Sequence, residues 1–315
     1  MKRLIRSITC TVAASLGLAV AAGVTAPIAP ADAASSSTTA YREGGIGTAI
    51  ANFVVSPASL PGVNDWSCRP SAAHPQPVIL EHATFVNLGS NFVKLAPRLL
   101  NQGYCVFAEN YGLTATSLGR IGGLGAVTNS VASFGRFVDR VRAATGSAKV
   151  DVVGHSQGGL IAYAYIKSGG ASKVDDYISW GGSQNGTTLS GLASLASALG
   201  VLGFAETFAA FLQAPGVTDQ ARGSAFMTRF LADHTVPAGP DYVTIQTRYD
   251  TVVTPYASQS IPGTRNLVVQ NYCPGDRVGH VGLFLDEPTL QLTLNALAGG
   301  PSSFRPTCSG YGPAL

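Results

Sequence analysis

The 315-residue chain is 46% apolar and only 12% charged, which is too much core-forming residue and too little charge for a disordered or acidic-tail protein. Its 37 glycines and 18 prolines predict a compact domain in which short turns join many elements. A formal charge of +3 supplies no electrostatic footprint for DNA or RNA, so nucleic acid is excluded as a partner.

The amino-terminal segment divides into three parts. Lys2, Arg3 and Arg6 give a positive start, Ile8 to Val24 carries no charge, and Ala31, Asp32 and Ala33 form a small-residue cleavage pattern. The pattern predicts a secretory signal peptide over 1–33, cut near Ala33, and hence a secreted protein. An uncleaved membrane anchor is the competing reading, against which Pro27 and Pro30 argue. Cys10 leaves with the signal, so four cysteines remain: Cys68, Cys105, Cys273 and Cys308. An even number in an exported chain predicts two disulfides, and the most local of the three pairings joins Cys68 to Cys105 and Cys273 to Cys308. No two of these cysteines have zinc-site spacing, so no metal is expected.

Residues 34–45 read as a flexible Ser/Thr/Ala-rich leader, and 46–315 as one domain. Buried strands are predicted at Val78 to Leu80, Tyr104 to Ala108, Val150 to Val153, Tyr177 to Trp180, Val243 to Gln246 and Leu267 to Gln270. Between them, Val131, Phe134, Val138 and Val141 recur at helical spacing within Ser130 to Ala144, and a second helical pattern runs from Gln157 to Lys167. Strand alternating with helix implies an α/β fold, a mainly parallel sheet flanked by helices. Gly182 to Pro215 contains a single charged residue, Glu206, and is rich in Leu, Ala, Ser and Phe. It is read either as helix packed on the sheet or as an apolar flap over a cleft, which makes 182–240 a candidate cap or lid.

The strongest chemical signal is Gly154, His155, Ser156, Gln157, Gly158, preceded by a strand and followed by a helix. A serine at so tight a turn needs strained dihedrals and close backbone neighbours. Glycines two positions away on either side remove the side chains that would collide. Ser156 is therefore the candidate nucleophile, and it needs a base and an orienting acid from downstream. His280, in a glycine-flanked loop after the last predicted strand, is preferred as base over His234. Asp250, just past the strand ending at Gln246, is preferred as acid over Asp241 and Asp276 because such folds place chemistry at the carboxyl ends of parallel strands. The oxyanion needs two amides. Gln157 follows the nucleophile, and Thr84 lies in the loop after the first core strand. His82 and His155 flank these elements and are expected to be structural.

Together the segments His82 to Phe85, Asn101 to Ala108, the elbow, Gly186 to Gly191, and the Asp250 and His280 loops resemble the secreted actinobacterial lipases and esterases of the class 2 lipase group, and more distantly yeast lipase B. The resemblance implies an α/β-hydrolase fold, a serine carboxylic-ester hydrolase (lipase or esterase), the triad Ser156, Asp250 and His280, and no organic cofactor. It also implies the local disulfide pairing. Phe85, Leu189 and Leu192 are expected to contact substrate, an ester or lipid, with transient contact to a lipid interface and no obligate protein partner. An acyltransferase using the same triad, or a silent hydrolase-fold protein that binds apolar ligands, are the alternatives. The chain departs from the family at Ala83, where glycine is usual, and at Glu81, where an apolar residue is usual. Both changes are expected to restrict or perturb the oxyanion loop.

Overall fold

The computed structural model describes residues 40–201 and 214–315. The segment expected to be a signal peptide, the expected leader up to residue 39, and Phe204, Phe208, Phe211 and Leu212 of the expected flap lie outside the described residues. Six strands form one wholly parallel sheet in the order β2-β1-β3-β4-β5-β6: β1 Val78–Glu81, β2 Val106–Glu109, β3 Val150–His155, β4 Val174–Trp180, β5 Asp241–Gln246 and β6 Arg265–Val268. Because every strand runs the same way, every strand delivers its carboxyl end to one edge of the sheet, and the loops that follow gather there.

The central strands are apolar on both faces because helices cover both. On one face Ile79, Val152 and Tyr177 pack against Phe134, Val138 and Val141 of α4 (Val127–Thr145) and Leu160 and Ile161 of α5 (Gln157–Tyr165). On the other, Leu80, Val153, Ile178 and Ile245 meet Leu95 and Leu99 of α3 (Leu95–Asn101) and Leu290 and Leu292 of the helix Glu287–Leu297. The three- and four-residue spacing in α4 thus buries one stripe, and Gly146, at φ 74°, ends the helix where a side chain would be strained.

Two details depart from the sequence reading. Residues 40–45, expected to be flexible, are tied down: Tyr41 exchanges two hydrogen bonds with Asn101, Gly44 N–H donates to Val93 O, and Glu43 pairs with Arg98. They lead into α1 (Ile46–Val55), an uncharged helix. The last strand starts and ends earlier than predicted, since Val269 and Gln270 begin a single helical turn. Edge strand β6 is only half-buried and so accepts Arg265 and Asn266, which broke the apolar pattern. The disulfides join Cys68 to Cys105 and Cys273 to Cys308, with Cα separations of 5.8 and 5.3 Å.

Candidate active site

Ser156 stands between β3 and α5 at φ 57°, ψ −118°, a conformation few non-glycine residues adopt. The sequence permits it because its neighbours have no Cβ. One added at Gly154 would lie 2.5 Å from Gly159 N, and one at Gly158 would lie 2.2 Å from Glu81 O. Ser156 N–H donates to Trp180 O at 2.8 Å, which fixes the turn to the end of β4.

The structure brings Ser156, His280 and Asp250 together from three loops. His280 Nε2 lies 2.9 Å from Ser156 Oγ, and His280 Nδ1 lies 2.8 Å from Asp250 Oδ2. An ionised carboxylate only accepts, so the proton sits on Nδ1 and leaves Nε2 free to accept from the serine hydroxyl. Asp250 is itself held on every side: Oδ1 accepts from Val252 N–H and Val253 N–H at 2.8 Å, and Oδ2 also accepts from Gln259 Nε2 at 2.7 Å. The His280 loop is strapped by the carboxyl terminus, where Gly279 N–H donates to Pro313 O and Val281 N–H to Leu315 O. Gly181 at φ 55° gives the imidazole its room, since a Cβ there would lie 2.9 Å from His280 Nδ1. The rival residues are elsewhere. His234 and Asp241 are exposed, and Asp276 is buried against Asp286, where burial raises its carboxyl to about 7.

Thr84 and Gln157 both lie against Gly123. Among the described residues neither backbone amide donates to a protein acceptor, and a Cβ at Gly123 would lie 3.0 Å from Thr84 Cα and 2.4 Å from Gln157 Oε1. Phe85, next to Thr84, takes φ 68°, so the second non-glycine residue of the site at positive φ also adjoins a candidate oxyanion donor. Phe85 N–H donates to Gly122 O and Gly122 N–H to Val86 O, which clamps the loop. The Thr84 hydroxyl accepts from Gln220 Nε2 at 3.2 Å, while Gln220 and Gln157 both donate to Gly216 O.

His82 and His155 are buried, and burial lowers their imidazoles to about 4 and about 3, so both are neutral. His82 Nδ1 bonds Ala83 O at 2.8 Å and its ring stacks on Tyr111 at 4.2 Å. Glu81 does not perturb the site with charge as expected. It is fully buried, neither carboxylate oxygen has a hydrogen-bond partner among the described residues, and desolvation together with Glu109 beside it pushes its carboxyl far up, favouring the neutral form. Ala83, itself buried, is part of the wall of a cavity.

That apolar cavity adjoins His280 and Thr84 and is walled by Ile46, Ala49 and Ile50 of α1, Leu195 of α6 (Leu189–Val201), Val281 and Phe284. The expected substrate contacts fall differently. Phe85 and Leu192 are in the core and do not line the cavity, and the side chain of Leu189 is outside the described residues. The α1 wall was not read from the sequence, and the only signal for it was the long run without charge before Asp65. Among the described residues no cluster of three or more His, Cys, Asp or Glu could hold a metal ion, and no helix is long and apolar enough to cross a membrane.

The model of the family "Lipase (class 2)" matches residues 75–288. Among solved structures, Aspergillus fumigatus lipase B is similar at 20% identity and a TM-score of 0.58, with 79% of this chain aligned to 62% of that one. This chain therefore spans less than two thirds of that lipase. A mature Bacillus licheniformis lipase is 18% identical over 63% of this chain and 84% of its own, with a TM-score of 0.48. A Rhodococcus 2-hydroxy-6-oxo-6-phenylhexa-2,4-dienoate hydrolase is 16% identical over 70% of this chain and 90% of its own, also at 0.48. No curated protein matches. With the family pattern extending from the strand before Thr84 to beyond His280, on a parallel sheet with a serine elbow, the chain belongs to the class 2 lipases of the α/β-hydrolase superfamily.

Proposed function

We propose that this protein is a secreted serine carboxylic-ester hydrolase, a lipase or esterase of the actinobacterial kind within its family. The observation that carries the reading is the unbroken contact Ser156 Oγ to His280 Nε2 and His280 Nδ1 to Asp250 Oδ2, at 2.9 and 2.8 Å, on a strained elbow. As Oγ attacks the ester carbonyl, its proton passes to Nε2, and Asp250 steadies the imidazolium. The amides of Thr84 and Gln157 receive the oxyanion. His280 then returns the proton to the departing alcohol, and a water, activated by the same nitrogen, releases the acid from Ser156.

The apolar cavity supports an acyl substrate, because each methylene buried there contributes about 0.8 kcal/mol. Triacylglycerols and simpler esters both fit this description. Export is supported by Lys2, Arg3 and Arg6, the uncharged stretch after them, the Ala31 to Ala33 site, and two disulfides that suit an oxidising compartment. The resemblance of the elbow, oxyanion loop and Gly186 to Gly191 stretch to secreted actinobacterial members supports the finer assignment.

Turnover of p-nitrophenyl butyrate and palmitate by wild type and Ser156→Ala, with folding checked by circular dichroism, tests the reading. A folded Ser156→Ala protein is expected to lose roughly a million-fold in kcat. Undiminished turnover overturns the proposal.

A further inference from the structure

His155 precedes the nucleophile, and it is 3% exposed. Its Nδ1 lies 3.0 Å from Asn91 Nδ2 and its Nε2 lies 3.1 Å from the carbonyl oxygen of His280. The amide nitrogen of Asn91 can only donate and the carbonyl can only accept. His155 therefore carries its proton on Nε2. Asn91 Oδ1 in turn accepts from Ala83 N–H at 2.7 Å. Reversing the Asn91 amide would oppose an NH2 to the Ala83 N–H, so every link has one sense: the Ala83 amide to Asn91, Asn91 to His155, and His155 to the backbone of His280. The chain joins loops 64 and 125 residues apart.

Each member has its own anchor. Asn91 ends a single turn, Leu88–Asn91, capped by Asn87, whose side chain accepts from Ser90 N–H at 3.0 Å. α1 is locked beside that turn, with Asn52 donating to Gly89 O and Asn87 to Phe53 O. Asn91, His155 and His280 all border the apolar cavity, where an unpaired polar group is costly. The links satisfy them. The peptide after Ala83 carries the Thr84 amide, and the residue at the far end of the chain carries the base.

We infer that Asn91 and His155 are positioning residues that hold the oxyanion amide of Thr84 and the imidazole of His280 in one frame. Neither touches the reacting atoms: the rings of His155 and His280 are 5.3 Å apart between centroids. Their contribution is to keep the two halves of the site from drifting, since about 1 Å of misplacement is enough to cost roughly a hundredfold in rate. The inference rests on the ester-hydrolase reading above.

The test measures kcat per active site, titrated with an organophosphonate so that only competent folded protein is counted, in His155→Phe, His155→Gln and Asn91→Leu. Gln retains one acceptor and one donor, and Phe and Leu retain neither. His155→Phe and Asn91→Leu are expected to lose roughly 10- to 100-fold in kcat for p-nitrophenyl butyrate, and His155→Gln to recover most of the loss. The acid limb of the pH–rate profile is expected to stay in place, because burial keeps His155 neutral. Unchanged kcat per titrated site in Asn91→Leu, equal impairment by Phe and Gln, or a shifted acid limb overturns the inference. Asn91→Leu leaves the elbow sequence intact, and so decides the matter even where His155→Phe does not fold. Ser156→Ala, run alongside, separates the two failures: an inactive Ser156→Ala with a normal Asn91→Leu sinks this inference alone.

Discussion

The loop after β5 and the end of β1 each bury a carboxyl group at the same edge of the sheet, with opposite results. Asp250 accepts four hydrogen bonds, from two amides, Gln259 and His280. Glu81 accepts none, and its register partner on β2 is another acid, Glu109, itself pushed up to about 7 by burial. Donors aimed at the oxygens fix Asp250 against His280, whereas desolvation and Glu109 raise the Glu81 carboxyl, which no donor holds among the described residues.

The comparison breaks most visibly at Asp250. Asp250→Asn keeps the shape but offers a donor to His280 Nδ1, favouring the wrong tautomer, and kcat is expected to fall about 10⁴-fold. Stopped-flow or steady-state rates on p-nitrophenyl butyrate check this, and a loss of less than about tenfold would mean that the loop only caps a turn. Removing one donor is gentler. Gln259→Leu deletes a 2.7 Å bond to the carboxylate and is expected to cost roughly tenfold in kcat, the order of one charge-assisted hydrogen bond. An unchanged rate would show that the remaining donors suffice.

At Glu81 the expected effect is on stability rather than rate. Above pH about 4.3 the unfolded chain gives up this proton, while the folded chain keeps it because burial raises the group. The folded state then binds more protons, so its advantage from this group shrinks as pH rises. Glu81→Gln removes the titration, and thermal melts at pH 5 and pH 8 are expected to show the variant gaining on wild type at the higher pH. A pH-independent difference in Tm would mean that Glu81 is solvated or paired.

What the sequence made legible follows from how local each cause is. Gly154 and Gly158 announce the elbow because the collisions they avoid lie within a few residues or on the adjacent strand. Ser156, Asp250 and His280 were readable from strand ends and chain order, since a parallel sheet delivers those ends to one place. The linkage through Asn91 was not, because its sense depends on contacts across long stretches of chain. Phe85 and Leu192 look like substrate contacts by composition, but apolar side chains near a cleft divide between core and wall by direction, which composition does not carry. The wall helix α1 has no charge pattern to mark a face, so Ile46 and Ile50 gave no sign of lining the cavity.

The central claim is that one serine hydroxyl, primed by His280 and Asp250, does the acyl chemistry. Intact-mass and peptide mass spectrometry after incubation with a p-nitrophenyl organophosphonate tests it directly, in wild type and in folded His280→Ala. The account predicts a single adduct on the peptide bearing Ser156 in wild type, formed with loss of one p-nitrophenolate, and none on the same timescale in His280→Ala. An adduct on another residue, or ester turnover that survives full labelling of Ser156, would contradict it.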